Sequence, residues 1–363
     1  MNCKKKLLIV NGAQFGHSSG HYFYCKYLVN EFSITYICYD RGLTQMVLDG
    51  VEIYYVSFKG GKIFRILRFL KECIRQSLSV KPHILLVTYF NLCFLLALLC
   101  RSNKAILDIR TGSLKKNCIF RNIDNKVILV QSIFFNRVII LSENLLKKLQ
   151  ILRKKSNVIP LGSEIIFKGK HNFNSLNLLY IGTFDDRNIE VTIKGLHMFL
   201  QKFEYNSIKI FYTIIGFGSE IETKKIMKSI SENKMDEFVK FEGRKNFEEF
   251  SPYFEQSNIG IVFIPQTPWY DCQPSTKLFE YMLSGMPVIA SDTYENRLIV
   301  NESNGVLIND SAEDFCNGLK RIYNQRNSYN PFEIRKSVES YTWGNIVNTN
   351  LKPYLLKLLN ENN

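Results

Sequence analysis

The residues best suited to chemistry lie together in one short stretch of the 363-residue chain, at residues 271–291. Ser275 and Thr276 are residue types that cap the start of a helix. Lys277 and Glu280 follow three positions apart, so they share one face of the predicted helix, close to an N-terminus that attracts anions. A phosphate and a hydroxyl-bearing group could be held there together. The same spacing also fits a surface ion pair worth about 0.2–0.5 kcal/mol, so these residues alone leave both interpretations open.

The end of this stretch predicts how the helix is connected to the next element. Gly285 is expected to end the helix, and Pro287 cannot continue it. The apolar run 288–290 then predicts a short buried strand of a parallel sheet. The stretch is therefore a predicted helix–turn–strand unit.

Polar residues also stand at predicted strand ends in the first half of the chain. Gly20 and His21 open a helix after the first strand, where they serve either as a cap or as ligand contacts. Asp108 and Arg110 close a later strand, where they contact a sugar or an acceptor or simply pair with neighbours. The residues themselves do not decide between these readings.

Glycine-containing turns follow two predicted strands of the second half. Gly216 and Gly218 follow one strand, but Ile221 occupies the third glycine position of a dinucleotide fingerprint, so a turn is favoured over a phosphate cradle. Gly182 follows another strand, and Arg187 stands between it and the next helix. Arg187 is interpreted either as a solvated loop residue or as a ligand contact.

Composition and length indicate a globular chain of two domains. The nine cysteines form no CxxC pair, and no secretory signal precedes the first strand, so reduced thiols in a cytoplasm are expected, without disulfides or zinc. The longest apolar segment, residues 84–100, contains Thr88 and Asn91. It is interpreted as a buried strand (84–90) and a buried helix (91–101) rather than a membrane span.

Charge is distributed unevenly along the chain, whose net charge is +14. Residues 1–165 contain 25 Lys and Arg against 9 Asp and Glu, whereas residues 166–363 contain 22 against 24. A one-sided positive field indicates that the first half faces an anionic partner, either nucleic acid or a membrane surface. Arg65, Arg68 and Arg75 of a predicted helix at 63–78 are candidates for contact with anionic lipid.

Alternating strands and helices run through both halves, which predicts an α/β fold with two doubly wound parallel sheets. The predicted first domain spans residues 1–165 and the second 166–344, with a polar linker near 167–175. A C-terminal helix at 345–363 is expected to pack back on the first domain. In such sheets ligands bind at the carboxyl ends of the strands, where the candidate residues lie.

These motifs together resemble the GT-B glycosyltransferases, in particular the retaining family 4 that uses nucleotide-diphosphate sugars, in its bacterial O-antigen and capsule variants. The resemblance rests above all on PSTKLFEYMLSGMPVIAS at 274–291, supported by IPLG, YIGT, IIGFG and FEGR. It implies a GT-B fold, two facing Rossmann-like domains with an interdomain cleft, and closure on substrates.

The resemblance also implies roles for individual residues. Glu280 would hold the donor ribose, while Lys277, Arg187 and the helix N-terminus would meet the diphosphate, giving a catalytic set of Lys277, Glu280 and Arg187. No metal or other cofactor is implied, since cations and a helix dipole can stabilise a departing diphosphate. The implied nucleotide-sugar contacts are Gly20, Gly182, Gly216, Gly218, Arg244, Pro274, Ser275 and Thr276.

The chain departs from the family pattern at two places. Members often have a second Glu eight residues before the position of Glu280, where it contacts the donor sugar. Here that place is Cys272, with Asp271 beside it, so donor identity stays open. Members also often have Arg directly after the strand-end glycine, where this chain has Thr183. Donor-sugar or acceptor contacts are expected from His21, Asp108, Arg110, Asp271 and Cys272.

The resulting expectation is a retaining glycosyltransferase that moves a hexose from a UDP- or GDP-sugar to a lipid-linked or membrane-held glycan acceptor. It would act in the synthesis of O-antigen, capsule or lipopolysaccharide, in the cytoplasm or peripherally on the cytoplasmic face of the inner membrane. The basic first domain would face the acceptor and an anionic membrane. Nucleic acid is not expected as a partner, because no zinc knuckle or helix-turn-helix signal accompanies the charge.

Two alternatives of different classes stay open at this stage. A nucleotide-sugar epimerase on the same fold would isomerise the donor without an acceptor. A non-catalytic basic protein would bind membrane or nucleic acid without affinity for any nucleotide sugar.

Overall fold

The computed structural model describes residues 4–17, 19–100, 104–203 and 208–361, with the side chain of Ser19 excluded. The chain divides into two compact units. The first contains Met1–Leu161 and Trp343–Asn363, and the second contains Gly162–Thr342. Residues 362 and 363 of the expected C-terminal helix lie outside the described residues.

The first unit is built on a seven-stranded parallel sheet with the order β3-β2-β1-β4-β5-β6-β7. Its strands are β1 (Lys5–Asn11), β2 (Phe32–Asp40), β3 (Val51–Ser57), β4 (Ile84–Thr88), β5 (Ala105–Ile109), β6 (Arg137–Ile140) and β7 (Ser156–Val158). The connecting helices are α1 (Ser19–Leu28), α2 (Lys62–Val80), α3 (Phe94–Leu99), α4 (Cys118–Ile133) and α5 (Glu143–Lys148), with a 3-10 turn at Arg153–Lys155.

The second unit repeats this plan with a six-stranded parallel sheet of order β10-β9-β8-β11-β12-β13. Its strands are β8 (Leu176–Thr183), β9 (Ile210–Phe217), β10 (Val239–Gly243), β11 (Ile259–Val262), β12 (Val288–Ser291) and β13 (Gly305–Ile308). Its helices are α6 (Glu190–Lys202), α7 (Glu220–Glu232), α8 (Ser251–Gln256), α9 (Thr276–Leu283), α10 (Tyr294–Arg297), α11 (Ala312–Gln325) and α12 (Pro331–Ser337). Its 3-10 turns are Phe247–Glu249, Tyr270–Cys272, Arg326–Ser328 and Glu339–Tyr341.

The chain ends in the first unit with α13 (Trp343–Ile346), a π-helical turn (Val347–Leu351) and α14 (Lys352–Asn360). The ring of Trp343 stacks on Phe23 of α1, with centroids 5.8 Å apart. Lys104, which directly precedes β5, donates to the carbonyls of Leu359 at 3.2 Å and Glu361 at 3.1 Å. A cation at a helix C-terminus is favourable, so these bonds help to fix the terminal segment on the first unit.

The predicted α/β architecture with two doubly wound parallel sheets is confirmed. The apolar segment at 84–100 forms β4 and α3, as predicted, although residue 101 lies outside the described residues. Within the described ranges, no helix has both the length and the apolar character that crossing a membrane requires. The sequence analysis named no helix between 110 and 137, where α4 lies, because apolar side chains there do not mark a buried stripe.

In each sheet the order reverses next to the first strand. This switch point lies between β1 and β4 in the first unit and between β8 and β11 in the second. Ligands of doubly wound sheets bind outside the carboxyl ends of the strands at such points. The candidate residues can therefore be compared at two equivalent places.

Candidate functional site

Helix α9 is the element that positions the strongest candidates of the second unit. Ser275 is its N-cap residue, as predicted, with an extended backbone, but its side chain makes no capping hydrogen bond. The Ser275 side chain therefore leaves the backbone N–H groups of the first turn uncapped. At the other end Gly285, with φ of +83°, donates to the carbonyl of Met282, and Met286 donates to Tyr281. This pair of bonds ends the helix at the predicted glycine.

The C-terminal end of α9 is also held from outside the helix. Arg335 of α12 donates from Nε to the carbonyl of Leu283 at 2.8 Å. His171 contacts the carbonyl of Ser284 through Nε2 at 2.9 Å. The helix is thus fixed at its C-terminus, while its N-terminus faces the carboxyl edge of the sheet.

Lys277 and Glu280 form an ion pair on the first turns of α9, with Nζ and Oε2 2.5 Å apart. The Glu280 side chain is 7% exposed and that of Lys277 is 24% exposed. The Lys277 ammonium also lies 5.0 Å from the ring centroid of Phe250. A surface ion pair would expose both groups, so the burial of Glu280 distinguishes this pair from an ordinary solvated one.

Tyr281 of α9 connects the helix to the switch point. Its hydroxyl accepts a hydrogen bond from the backbone N–H of Ile181 in β8 at 2.9 Å. Strands β8 and β11 pair only through Leu178 and Leu179, so beyond them a side chain takes the place of a strand partner. Burial raises the pKa of the Tyr281 hydroxyl well above its ordinary value, which keeps it protonated.

Arg187 lies in the turn between β8 and α6, flanked by Asp186 and Asn188, both of which adopt positive φ angles (58° and 53°). Its guanidinium stacks on the ring of Tyr270 at 4.4 Å. Its Nη1 is buried and has no hydrogen-bond partner, and no carboxylate within the described part of the chain pairs with it. A buried unpaired donor is costly, so this nitrogen is available to an anionic ligand.

The glycines at the ends of β8 and β9 stand where no larger side chain fits. A Cβ at Gly216 would lie 1.8 Å from the carbonyl oxygen of Gly182, and one at Gly218 would lie 2.9 Å from Phe184. The backbone N–H of Ser219 donates to Asp185 at 2.8 Å. These glycines bring the ends of β8 and β9 together, which agrees with the turn that the sequence favoured.

The remaining candidates of the second unit lie around these elements. Arg244 is exposed and stacks on Phe217, with its guanidinium 4.5 Å from the ring. Asp271 accepts from the backbone N–H of Tyr294 at 2.6 Å. Cys272 is fully buried and its Sγ lies 3.2 Å from the carbonyl of Trp269. Pro274 and Thr276 are partly exposed, beside the N-cap of α9.

A second cluster forms at the switch point of the first unit. Nε2 of His21, on α1, lies 2.9 Å from Oδ2 of Asp108 on β5 and 2.8 Å from Oγ1 of Thr88 at the end of β4. His21 and Asp108 are almost completely buried. The carboxylate oxygens of Asp108 have no well-aligned hydrogen bond, so the carboxylate keeps acceptor capacity.

Arg110 extends the same cluster. Its Nη1 lies 3.6 Å from Asp108 and donates to the hydroxyl of Tyr24 at 3.1 Å and to the carbonyl of Ile159 at 3.2 Å. Its Nη2 is buried without a partner. A Cβ at Gly20 would lie 3.8 Å from this nitrogen, so Gly20 borders the guanidinium. Burial raises the pKa of Tyr24, which stays a neutral hydrogen-bond partner.

The structure therefore brings the candidates together in two groups, one in each unit. Gly20, His21, Asp108 and Arg110 form the first. In the second, Lys277 pairs with Glu280 on α9. Arg187 stacks on Tyr270, which belongs to the 3-10 turn that precedes α9. Tyr281 and Tyr270 were not predicted as site residues, and Thr88 was identified from the sequence only as a polar residue in an apolar segment. The position of Thr88 at a strand end was the signal that could have identified it as a site residue.

Two further features of the described residues concern possible ligand sites. No group of three or more His, Cys, Asp or Glu side chains comes together there in a way that could hold a metal ion. A cavity of about 390 Å³ lies at the amino ends of β8, β9 and β10, lined by Asn177, Phe211 and Val239 among others. That edge of the sheet is opposite to the one where α9 begins.

Comparisons with known proteins place these features in a wider context. Residues 175–325 match the family described as "Glycosyl transferases group 1". No curated protein sequence matches the chain significantly.

Solved structures share the fold at low sequence identity. Sucrose-phosphate synthase from Thermosynechococcus elongatus is 16% identical with a TM-score of 0.74, and 98% of this chain and 99% of that chain are covered. Anabaena HepE, in complex with UDP and glucose, is 11% identical with a TM-score of 0.76 (97% and 100% covered). The lipopolysaccharide outer core galactosyltransferase WaaB is 15% identical with a TM-score of 0.66 (96% and 99%). Residues 175–325 therefore match a glycosyl transferases group 1 domain, and the chain as a whole has the GT-B fold that these solved structures share.

Proposed function

We propose that the chain is a retaining hexosyltransferase of family 4 that transfers a hexose from a UDP- or GDP-sugar to a lipid-linked or membrane-held glycan acceptor. The product would be a bacterial surface polysaccharide such as O-antigen, capsule or lipopolysaccharide. The observation that carries the proposal is the Lys277–Glu280 pair on the first turns of α9, with a buried carboxylate and a partly exposed ammonium.

The geometry of α9 supports a grip on the nucleotide. The N-terminus of a helix attracts phosphate through its free N–H groups and its dipole, and Lys277 adds a cation at the same place. Glu280 offers a carboxylate to ribose hydroxyls, which are the hydrogen-bond donors that an acceptor-only group needs. Pro274, Ser275 and Thr276 lead the chain into this turn, and Gly182 follows Ile181, whose backbone N–H donates to Tyr281 of α9.

Arg187 would complete the diphosphate contacts with its unpartnered Nη1. In the reaction the bond between the hexose C1 and the diphosphate oxygen breaks, and the diphosphate keeps the electron pair. A bond forms between C1 and an acceptor hydroxyl oxygen, whose proton is released. Lys277, Arg187 and the helix dipole would stabilise the charge on the departing diphosphate, so no metal is required by the proposal.

Two observations support a nucleotide-diphosphate sugar as the donor. HepE, which has the same fold, is solved with UDP and with UDP-glucose. The motif at 274–291 resembles the family that uses nucleotide-diphosphate sugars.

The first unit is proposed to contact the donor sugar or the acceptor through Gly20, His21, Asp108 and Arg110. Arg244, Gly216 and Gly218 would line the nucleotide side, and Asp271 with Cys272 would influence which sugar is taken.

A thermal-shift screen against UDP, GDP and their common sugar conjugates tests the donor site. A ligand at 100 times its dissociation constant stabilises the protein by about 2.7 kcal/mol, so one nucleotide series should raise the melting temperature. Lys277→Met and Glu280→Gln should each abolish the shift.

The chain offers a matched control for these variants. Lys225 and Glu222 on α7 also form an i,i+3 ion pair, with Nζ and Oε1 2.7 Å apart. Lys225→Met and Glu222→Gln should keep the nucleotide shift of the wild-type protein. If no nucleotide sugar stabilises the wild type, or if the α9 and α7 variants respond alike, the proposed donor site is wrong.

A further inference from the structure

Helix α4 of the first unit has its apolar side turned away from the protein. Its buried residues are Asn125, Ile128, Gln131 and Ser132, three of which are polar. The opposite side, here called the α4 outer face, consists of Ile119, Phe120, Ile123, Val127, Val130 and Ile133. These six side chains are between 40% and 65% exposed. A helix of a globular protein normally has the reverse arrangement.

Specific hydrogen bonds hold α4 in the orientation that leaves its apolar side exposed to solvent. Asn117 caps the N-terminus by accepting from the backbone N–H groups of Ile119 and Phe120. Asn125 accepts from the backbone N–H of Ser113 at 2.9 Å. Turning the helix to bury its apolar side would break these bonds and expose their partners.

Exposed lysines lie on and beside the α4 outer face. Lys126 is three residues from Ile123 on the same side of the helix, and Lys115 and Lys116 precede the helix. Arg121 lies on the inner side, where its Nη1 donates to the carbonyls of Lys115 at 2.9 Å and Lys116 at 3.2 Å. Residues 1–165 as a whole contain 25 basic and 9 acidic side chains. An apolar face with a basic border matches the helices that lie in the interface of anionic membranes. Two copies of so basic a surface would repel each other, which argues against a second copy as the partner.

The start of α2 is a second exposed apolar group of the same unit. Ile63 and Phe64 are each 71% exposed, and the basic residue Lys62 precedes them. The pKa of Asp124 on α4 is lowered first by its hydrogen bond with Lys115 and further by the Lys62 charge.

A cavity of about 560 Å³ lies directly beside the α4 outer face. Its polar lining includes Tyr89, Asn91, Ser113, Lys115 and Asp124. Val127 belongs both to the cavity wall and to the α4 outer face, so the two are continuous.

We infer that the α4 outer face is the surface by which this protein docks on an anionic lipid bilayer, with the adjoining cavity open to the polar head of a lipid-linked acceptor. This inference rests on the proposed function for the identity of the acceptor, but the docking itself does not. Apolar side chains would enter the boundary between head groups and acyl chains, while the basic border would meet anionic head groups.

Vesicle flotation of the full chain tests the inference. Wild-type protein should float with phosphatidylcholine vesicles that contain about a third phosphatidylglycerol, and less with pure phosphatidylcholine. The triple variant Ile119→Gln, Ile123→Gln, Val130→Gln should bind at least tenfold more weakly. Glutamine is a good helix former, so α4 should be retained, and its circular dichroism and melting temperature verify this.

A matched control changes equally exposed apolar residues of the second unit. Ile221, Leu298 and Phe332 are 69%, 63% and 63% exposed. Their triple substitution to Gln should leave vesicle binding unchanged. Equal binding by the α4 variant and the wild type, or equal loss in the control, would overturn the inference.

A spectroscopic variant keeps the test decisive if the triple variant does not fold. Phe120→Trp should show a blue-shifted emission when anionic vesicles are added, and Phe332→Trp should not. No shift at position 120 would contradict the docking.

Two further measurements separate the outcomes. The α4 variant should keep the nucleotide thermal shift, so a failed donor site and a failed docking surface give different results. Light scattering after gel filtration reports self-association. A wild-type dimer that the α4 variant converts to a monomer, without vesicle binding, would show an interface between copies and refute the lipid assignment.

Discussion

The two switch points contain charged side chains of similar chemistry, but these side chains differ in their exposure to solvent. At the first, His21 and Asp108 have side chains that are 3% and 0% exposed. At the second, Lys277 is 24% exposed and Arg187 is partly buried with one nitrogen unpaired. Moving a buried charge away from its partner is costly, whereas a partly exposed charge can change partners at little cost. His21 and Asp108 are therefore suited to positioning, whereas Lys277 and Arg187 are suited to gripping a ligand.

The largest expected effect is on transfer itself, at the second switch point. Lys277→Ala and Glu280→Ala should each lower transfer by at least about a hundredfold, since a group that stabilises developing charge is worth about 10²–10³ in rate. Initial rates of sugar transfer measure this, and melting temperatures verify the fold. Full activity in both variants would contradict the assignment of ligand binding to the second switch point.

The next effect should come from the first switch point and should differ in kind. Asp108→Asn weakens the contact with His21 and should lower the free energy of unfolding by about 2 kcal/mol. If the group positions rather than grips, kcat should fall about tenfold while the KM for the donor stays constant.

Steady-state kinetics and urea unfolding give these values for Asp108→Asn. Asp49 of the same unit is exposed, so Asp49→Asn should change neither quantity. A raised donor KM with unchanged kcat would instead place Asp108 among the gripping residues.

Two arginines of the second unit allow a finer comparison. Arg187→Ala should weaken nucleotide binding about tenfold, because its buried unpaired nitrogen is available to a phosphate. Arg244→Ala removes an exposed stacked guanidinium and should weaken binding about two- to threefold. Isothermal titration with the nucleotide measures both. Equal losses would mean that the burial of Arg187 does not matter.

The smallest effect concerns the glycine turn beside the second switch point. The hydrogen bond from the Ser219 backbone N–H holds the pKa of Asp185 below its usual range. A carboxylate with a lowered pKa stabilises the fold above its unfolded pKa of about 3.9, and this contribution is lost as pH falls through the folded value. Asp185→Ala should therefore unfold at lower urea concentration than wild type at pH 7, and the two midpoints should converge at acidic pH. A constant difference would contradict this.

Much of the second switch point could be predicted from the sequence, because its determinants are local. Gly285 and Pro287 end α9 through backbone conformation alone, and the i,i+3 spacing of Lys277 and Glu280 fixes their shared face. The burial of Glu280 could not be predicted, since it depends on what packs against α9. Ser275 is the N-cap residue as predicted, but its capping hydrogen bond is absent, because a residue type permits such a bond without requiring it.

Other features depend on contacts between distant parts of the chain. The group of His21, Thr88 and Asp108 joins three elements, and the sequence left open whether Asp108 pairs or binds. The α4 outer face was missed for a different reason. Apolar residues are expected inside a protein, so a helix that presents them to solvent cannot be recognised from periodicity.

The bond between Tyr281 and Ile181 has a consequence for how this molecule can be observed. The Ile181 amide is protected by a helix side chain and not by a neighbouring strand, so its hydrogen exchange reports how often α9 lifts from the sheet. A donor that clamps the first turn of α9 should slow exchange at this amide without touching it. The switch point thus contains its own sensor of occupancy, one that needs no label.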